Sequence, residues 1–150
     1  MTALAQLINR IRGLLETFDW LPPLLARIIV GWVFTVSGWG KLHNLEKVTG
    51  FFTDLGLPMP GFQAHLVATT EFAGGLLLIA GLFTRLASIP LSVIMVVAIA
   101  TAQRENLHGV LDLFGMSEFL YIALLVWLIF QGPGMLAIDT LLGRKLKRLD

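Results

Sequence analysis

Apolar residues follow two different patterns along this chain, and the difference divides it into elements. In the first stretch Leu4, Leu7, Ile8, Ile11, Leu14, Leu15 and Phe18 recur every three or four residues, and Asn9, Arg10, Arg12, Gly13, Glu16 and Thr17 fill the other face. That spacing predicts an amphipathic helix. Its basic residues and low net hydrophobicity suit it to lie in the membrane plane on the cytoplasmic leaflet, apolar side down. The same pattern would also serve a helix packed on a soluble partner. Asp19-Trp20-Leu21-Pro22-Pro23 then breaks it, with Trp20 suited to a membrane interface and the prolines to the first turn of a new helix.

Beyond Pro22 the alternation disappears. Four apolar runs follow, Pro22 to Leu42, Leu66 to Phe83, Leu86 to Ala102 and Phe119 to Ile138, each close to the roughly 17 to 25 residues needed to cross the hydrocarbon. They lack the polar face of a buried soluble helix and run too long for strands. Pro90 sits near the start of the third run, where a helix tolerates it. The fold class expected is all-α: an integral membrane four-helix bundle preceded by an amphipathic interfacial helix. Residues 1–19 form the surface helix, 20–143 the bundle and 144–150 a basic cytoplasmic tail.

Composition supports lipid as the solvent, with 56% hydrophobic and only 14% charged residues. A net charge of +1 provides no basic field for nucleic acid, and none is expected as a partner. Cysteine is absent, so disulfides, thiolate metal sites and dithiol redox chemistry are excluded from this chain and any thiol chemistry would belong to a partner. Arg10, Arg12 and Glu16 interrupt the first apolar stretch, so it is expected to be retained rather than cleaved as a signal peptide. Arg10, Arg12, Arg85, Arg144, Lys145, Lys147 and Arg148 fall on one side of the threading, and Lys41, Lys47 and Arg104 on the other. That bias predicts both termini in the cytoplasm of a bacterial inner membrane protein. Two outward loops remain, His43 to His65 and Gln103 to Ser117. The first carries Gly56-Leu57-Pro58-Met59-Pro60-Gly61, suited to a tight, ordered reversal.

Ionisable residues inside spanning segments cost a few kcal/mol each on insertion scales, so they mark candidate sites. At 100° per residue, Arg27, Gly31, Phe34, Gly38 and Lys41 fall within about 40° of one line on the first helix. Glu71, Gly74, Gly75, Leu78, Leu82 and Arg85 share an arc of about 100° on the second. Small residues let backbones approach closely, so these two faces are expected to meet inside the bundle. Antiparallel threading then yields an outer cluster of Lys41, Glu71, Arg104, His108 and Glu118, with Glu105 and Asp112 near its rim, and an inner cluster of Arg27, Arg85 and Asp139. Glu71 is either a structural ion partner of Lys41 or Arg104, or a carboxylate that handles protons or ligand. Arg27 and Arg85 are expected to snorkel to headgroups or pair with Asp139, and Arg144 to Arg148 to anchor on anionic lipid. His43, His65 and His108 lack the spacing of a metal or haem site, and no metal is assigned. Trp32, Trp39 and Trp127 suit packing or the interface, and also the sides of a quinone head group.

Arg27-x-x-x-Gly31, Gly38-Trp39-Gly40-Lys41-Leu42, Gly56-Leu57-Pro58, Glu71-Phe72-Ala73-Gly74-Gly75 and Gly81-Leu82-Phe83-Thr84-Arg85 together resemble the DoxX family. The likeness continues through His108-Gly109 and Gly132-Pro133-Gly134 to Asp139, and spans nearly all of Pro22 to Gly143. It implies four membrane helices and no settled activity. The family name comes from similarity to a small subunit of a thiosulfate:quinone oxidoreductase. Some members are linked to thiol or sulfur redox complexes and others to operons making metal-binding modified peptides. The resemblance therefore implies an accessory or scaffold subunit with an oxidoreductase or maturation enzyme as partner, and quinone as the cofactor to look for. The longer stretch before Trp20 favours a subgroup working at the cytoplasmic leaflet. A different class of function is a small proton-coupled transporter or permease-like helper, in which Lys41, Glu71 and Glu118 line a polar path and the chain works as a homo-oligomer. A freestanding enzyme is disfavoured, because the sequence offers no nucleophile with a positioned base and no nucleotide loop.

Overall fold

A computed structural model of the chain describes residues 3–104, 107 and 109–141. They form a helical bundle: α1 (Ala3–Thr17), α2 (Leu21–Leu42), α3 (Leu45–Asp54), α4 (Pro60–Ala80), α5 (Thr84–Thr101), α6 (Val110–Gly115) and α7 (Ser117–Gln131). Helices α2, α4 and α5 are long and apolar enough to cross a membrane, and α7 is apolar but shorter, at 15 residues. The breaks follow local chemistry. Prolines occupy the first turns of α2 and α4, where a missing N–H leaves no hydrogen bond unmade. Gly81 ends α4 in the left-handed region at φ 68°, which a residue without Cβ adopts at little cost.

Helices α2 and α4 form the tightest pair, and glycine is the reason. A Cβ added at Gly31 would sit 2.8 Å from the Gly75 carbonyl oxygen, and one at Gly75 would sit 2.5 Å from Thr35 Oγ1. Gly38 leaves equally little room against the backbone of Phe72 and Ala68. In lipid there is little apolar transfer energy to gain between helices, so this backbone-to-backbone packing supplies the attraction. Arg27, Gly31, Phe34 and Gly38 of the expected α2 stripe are buried, as are Glu71, Gly74, Gly75 and Leu78 of α4. Val30, Phe34, Leu78, Leu91, Leu125 and Leu128 fill the middle of the bundle, joining α2 and α4 to α5 and α7.

Several expected boundaries are corrected. Helix α4 begins at Pro60, so His65 and Gln63 belong to a helix and not to a loop. Arg85 lies on α5, past the turn at 81–83, and leaves the α4 arc on which uninterrupted helical geometry placed it. The fourth apolar run does not stay helical to Ile138: α7 stops at Gln131, Gly132 turns with φ 87°, and the chain folds back before a short helical turn at 138–141. The stretch after His43 contains α3, whose apolar face was hidden by the interspersed Lys47, Thr49 and Gly50. The tight reversal at 56–61 is present, closed by hydrogen bonds from Leu57 N to Phe52 O at 3.0 Å and from Gln63 Nε2 to Pro58 O at 2.7 Å. Helix α1 is amphipathic as expected, and its apolar residues from Leu7 to Leu15, with Phe18 just beyond it, remain 48–66% exposed, so none of the described residues covers that stripe.

Candidate functional site

Ionisable side chains gather at the two ends of the bundle, in different surroundings. At the end where α2 finishes, a cavity of about 820 Å³ lies between α2, α4, α5 and α7, roofed by α3 and the 56–61 reversal. Its walls are apolar, with Phe51, Phe52, Phe62, Val67, Ile94 and Ala98 prominent, and its polar groups are few: Ser37, Lys41, Lys47, Gln63, Glu71, Glu118 and Tyr121 among them. That combination of size, apolar lining and sparse polar groups is the usual build of a small-molecule site.

Glu71 is the centre of this polar set and is only 1% exposed. One carboxylate oxygen accepts from Lys41 Nζ at 2.5 Å and the other from Ser37 Oγ at 2.9 Å. Of the two ion partners open to Glu71 from sequence, Lys41 is the one in contact. Arg104 is exposed and does not line the cavity, so the outer cluster is reduced by that member. His108 lies outside the described residues, as do Glu105 and the basic tail. Glu118 lines the cavity and accepts from Gln103 Nε2 at 3.1 Å and from Ser117 Oγ at 3.2 Å. Lys41 has three N–H donors, of which the bond to Glu71 uses one. Its side chain is 29% exposed, so the pair is half in and half out of the protein interior.

Sequence reasoning missed Ser37 and Tyr121. Ser37 stands one helical turn before Lys41 on the same face of α2, and that spacing was the available signal. Tyr121 stands three residues after Glu118 on α7, and its ring packs tilted against Phe34 with centroids 6.0 Å apart. The tryptophans expected beside a quinone head are elsewhere: Trp32 and Trp39 are 64% and 54% exposed and none of Trp32, Trp39 and Trp127 lines the cavity. The aromatic walls come from phenylalanines of α3 and α4 instead. His43 and His65 are exposed and each bonds through Nδ1 to a carbonyl one turn back on its own helix, at Trp39 and Gly61.

The opposite end is a knot of backbone contacts. Arg27, 1% exposed, donates from Nη2 to the Leu136 carbonyl at 2.8 Å, and its guanidinium lies directly over Gly81. Its Nε and Nη1 find no hydrogen-bond partner among the described residues. Of the two arrangements expected for the arginines, snorkelling or pairing with Asp139, the pairing does not form: no ion pair joins Asp139 to Arg27 or Arg85 among the described residues. Its carboxylate instead accepts from the backbone N–H groups of Phe83 and Thr84, at 2.8 and 3.1 Å, and so caps the start of α5. Its own N–H donates to Gly81 O at 3.0 Å. Arg85 is exposed and donates from Nη2 to Phe130 O at 3.3 Å. Segment 132–139 thus ties together the start of α2, the α4–α5 turn and the end of α7.

These features define a helical membrane bundle with a ligand-sized cavity at one end and a welded polar knot at the other. The chain belongs to the DoxX family, whose model matches residues 23–104. It is 34% identical to the Bacillus subtilis (strain 168) protein named "Putative oxidoreductase CatD", across 77% of this chain and 83% of that one. It is 30% identical to inner membrane protein YqjF of Escherichia coli (strain K12), across 81% and 92% of the two chains. A Mycobacterium tuberculosis protein named as an uncharacterized membrane protein is 31% identical, across 83% and 84%. No solved structure matches the chain.

Proposed function

We propose that this DoxX-family membrane protein is an accessory subunit that holds a lipid-soluble ligand, with quinone the redox-active choice, for a partner oxidoreductase handling thiols, sulfur compounds or quinones. The observation that carries the reading is the cavity of about 820 Å³ with apolar walls and the Lys41–Glu71–Ser37 cluster facing it. A cysteine-free chain supplies no thiol of its own, so electrons would enter from the partner. The relative named as an oxidoreductase supports the same direction. A maturation enzyme for metal-binding peptides is the other partner class compatible with a scaffold of this kind.

The transporter reading has less support. Between the Lys41 end and the Arg27 end lie Val30, Phe34, Leu78, Leu91, Leu125 and Leu128, all at most 2% exposed, and a proton or polar solute would need to pass this plug. To test the leading reading, protein purified in mild detergent is extracted and its quinone measured against Ala98→Trp, which fills the cavity from the α5 wall. Quinone bound to the native chain and missing from the variant is the expected result. Absence of quinone from both, with no oxidoreductase in the native complex, defeats it.

The placement that goes with this role is the bacterial inner membrane with four crossings, α7 being the fourth, and both termini in the cytoplasm. Arg10 and Arg12 of α1, Arg85 at the start of α5 and the four basic residues of the tail, against Lys41, Lys47 and Arg104 on the other side, support that orientation. Reporters fused after Asp150 and inserted at Gly56 should give opposite readouts. An external signal at Asp150 reverses the assignment.

A further inference from the structure

The cavity has a side, and the side is apolar. Below it α4 and α5 touch where Gly74 meets Leu91, and above that level the cavity separates them. Its rim there is formed by Phe62 and Leu66 of α4 and by Val93 and Val97 of α5, which are 43–63% exposed although each lines the cavity. Helix α3 forms the roof and rests mainly on α4, with a smaller contact on α2. An opening rimmed by apolar residues on two helices that fit a membrane span faces hydrocarbon, not water. At the polar end stand the two donors of Lys41 not used by Glu71, and Tyr121, whose hydroxyl makes no hydrogen bond among the described residues. A cavity with unsatisfied donors at one end and an apolar gap at the other matches one ligand shape: an amphiphile with a hydrogen-bond-accepting head and a long apolar tail.

We propose that the cavity is loaded sideways from the bilayer between α4 and α5, and that it takes an acceptor-headed amphiphile whose head docks on Lys41 and whose tail lies over Leu66 and Val97. This rests on the ligand-binding reading above and adds the entry route and the selecting group. Lys41 chooses acceptors because its ammonium can only donate; Glu71 is held in place by two bonds and neutralises it, so a carbonyl head is accepted as well as an anionic one.

The test uses the full chain in nanodiscs of phosphatidylethanolamine and phosphatidylglycerol, with p-benzoylphenylalanine replacing Val97, Leu66 or, as control at the other end, Phe130. Probes are decylubiquinone, its tail-less parent ubiquinone-0, palmitate and hexadecylammonium. Decylubiquinone and palmitate should couple on irradiation at positions 97 and 66 well above position 130, while ubiquinone-0 and hexadecylammonium should not. Equal coupling at all three positions overturns the side entrance, and strong coupling of hexadecylammonium overturns the acceptor assignment. In Lys41→Met combined with Glu71→Gln, neither partner is left as a lone charge, and coupling of decylubiquinone at 97 should fall about tenfold, the value of one hydrogen bond to a charged group. Unchanged coupling removes Lys41 from the site. Should that double variant not fold, Ala98→Trp must abolish coupling at position 66, and persistence there defeats the proposal. Palmitate coupling without quinone leaves this proposal standing and sinks the quinone reading, whereas ubiquinone-0 binding as well as decylubiquinone does the reverse.

Discussion

The two polar ends of this bundle spend their charges differently. At the Arg27 end the charged groups bond to backbone: Arg27 to Leu136 O, Arg85 to Phe130 O, and Asp139 to the N–H groups of Phe83 and Thr84. At the Lys41 end they bond to one another and to a serine, and the assembly faces a cavity. Charges that satisfy backbone atoms fix the path of the chain, because carbonyl and N–H positions are set by the fold. Charges that satisfy each other can exchange a partner for a ligand without unfolding anything. The first arrangement suits a hinge-free joint, and the second suits a binding site.

The largest effect should come from the seam that holds both ends in register. Gly75→Val drives a side chain into Thr35 and the Gly31 carbonyl, and should cost about 3 kcal/mol or more, enough to prevent accumulation of a monodisperse bundle. Fluorescence-detected size exclusion reads this directly. A normal elution profile and melting temperature would show that α2 and α4 are not locked by backbone contact.

Next in size is the Lys41–Glu71 pair. Breaking a fully buried pair costs about 3 to 5 kcal/mol, but Lys41 is 29% exposed, so Glu71→Gln should cost about 1 to 3. Lys41→Met added to it should recover much of that loss if the pair is purely structural. If Glu71 also positions Lys41 for ligand, the double variant recovers its melting temperature and not its ligand binding, and that separation is the outcome expected here. Recovery of both would reduce the Lys41 end to the same status as the Arg27 end.

Asp139→Ala removes the cap of α5 and should lower stability by about 1 kcal/mol, with ligand occupancy unchanged. Loss of ligand in this variant would couple the two ends and blur the distinction between them. The smallest effect on the bundle should follow deletion of Thr2 to Phe18. Helix α1 keeps its apolar stripe exposed, so its removal should leave the melting temperature of the bundle within error while reducing retention on vesicles rich in phosphatidylglycerol. A truncated chain that fails to insert would show that α1 does more than lie on the surface.

Much of this was legible in the sequence, and the reasons can be named. The stripes Arg27-Gly31-Phe34-Gly38 and Glu71-Gly74-Gly75-Leu78 were found by helical geometry alone, because within one helix the angular position of a residue depends only on its number. Setting those faces against each other leaves Lys41 and Arg104 both open as partners of Glu71, and the structure selects Lys41. Arg85 was misplaced by the same geometry, since the rule holds only while the helix continues, and Gly81 ends it. Residue type points to tryptophans as ligand walls, whereas the walls are Phe51, Phe52 and Phe62, all three in the stretch 43–65 that the sequence pattern assigns to a loop and the structure makes helical in α3 and the start of α4.

By itself the sequence determined that lipid is the solvent, that the elements are helices, and which faces of α2 and α4 meet, because apolar length and small-residue periodicity are properties of one chain segment at a time. Tertiary structure alone decided that Asp139 caps α5 rather than pairing with an arginine, that Arg104 stands apart from Glu71, and that α3 roofs a space between α4 and α5. Each of these depends on where segments far apart in the chain come to lie, and a cavity in particular is an absence of atoms that no local pattern of residues encodes.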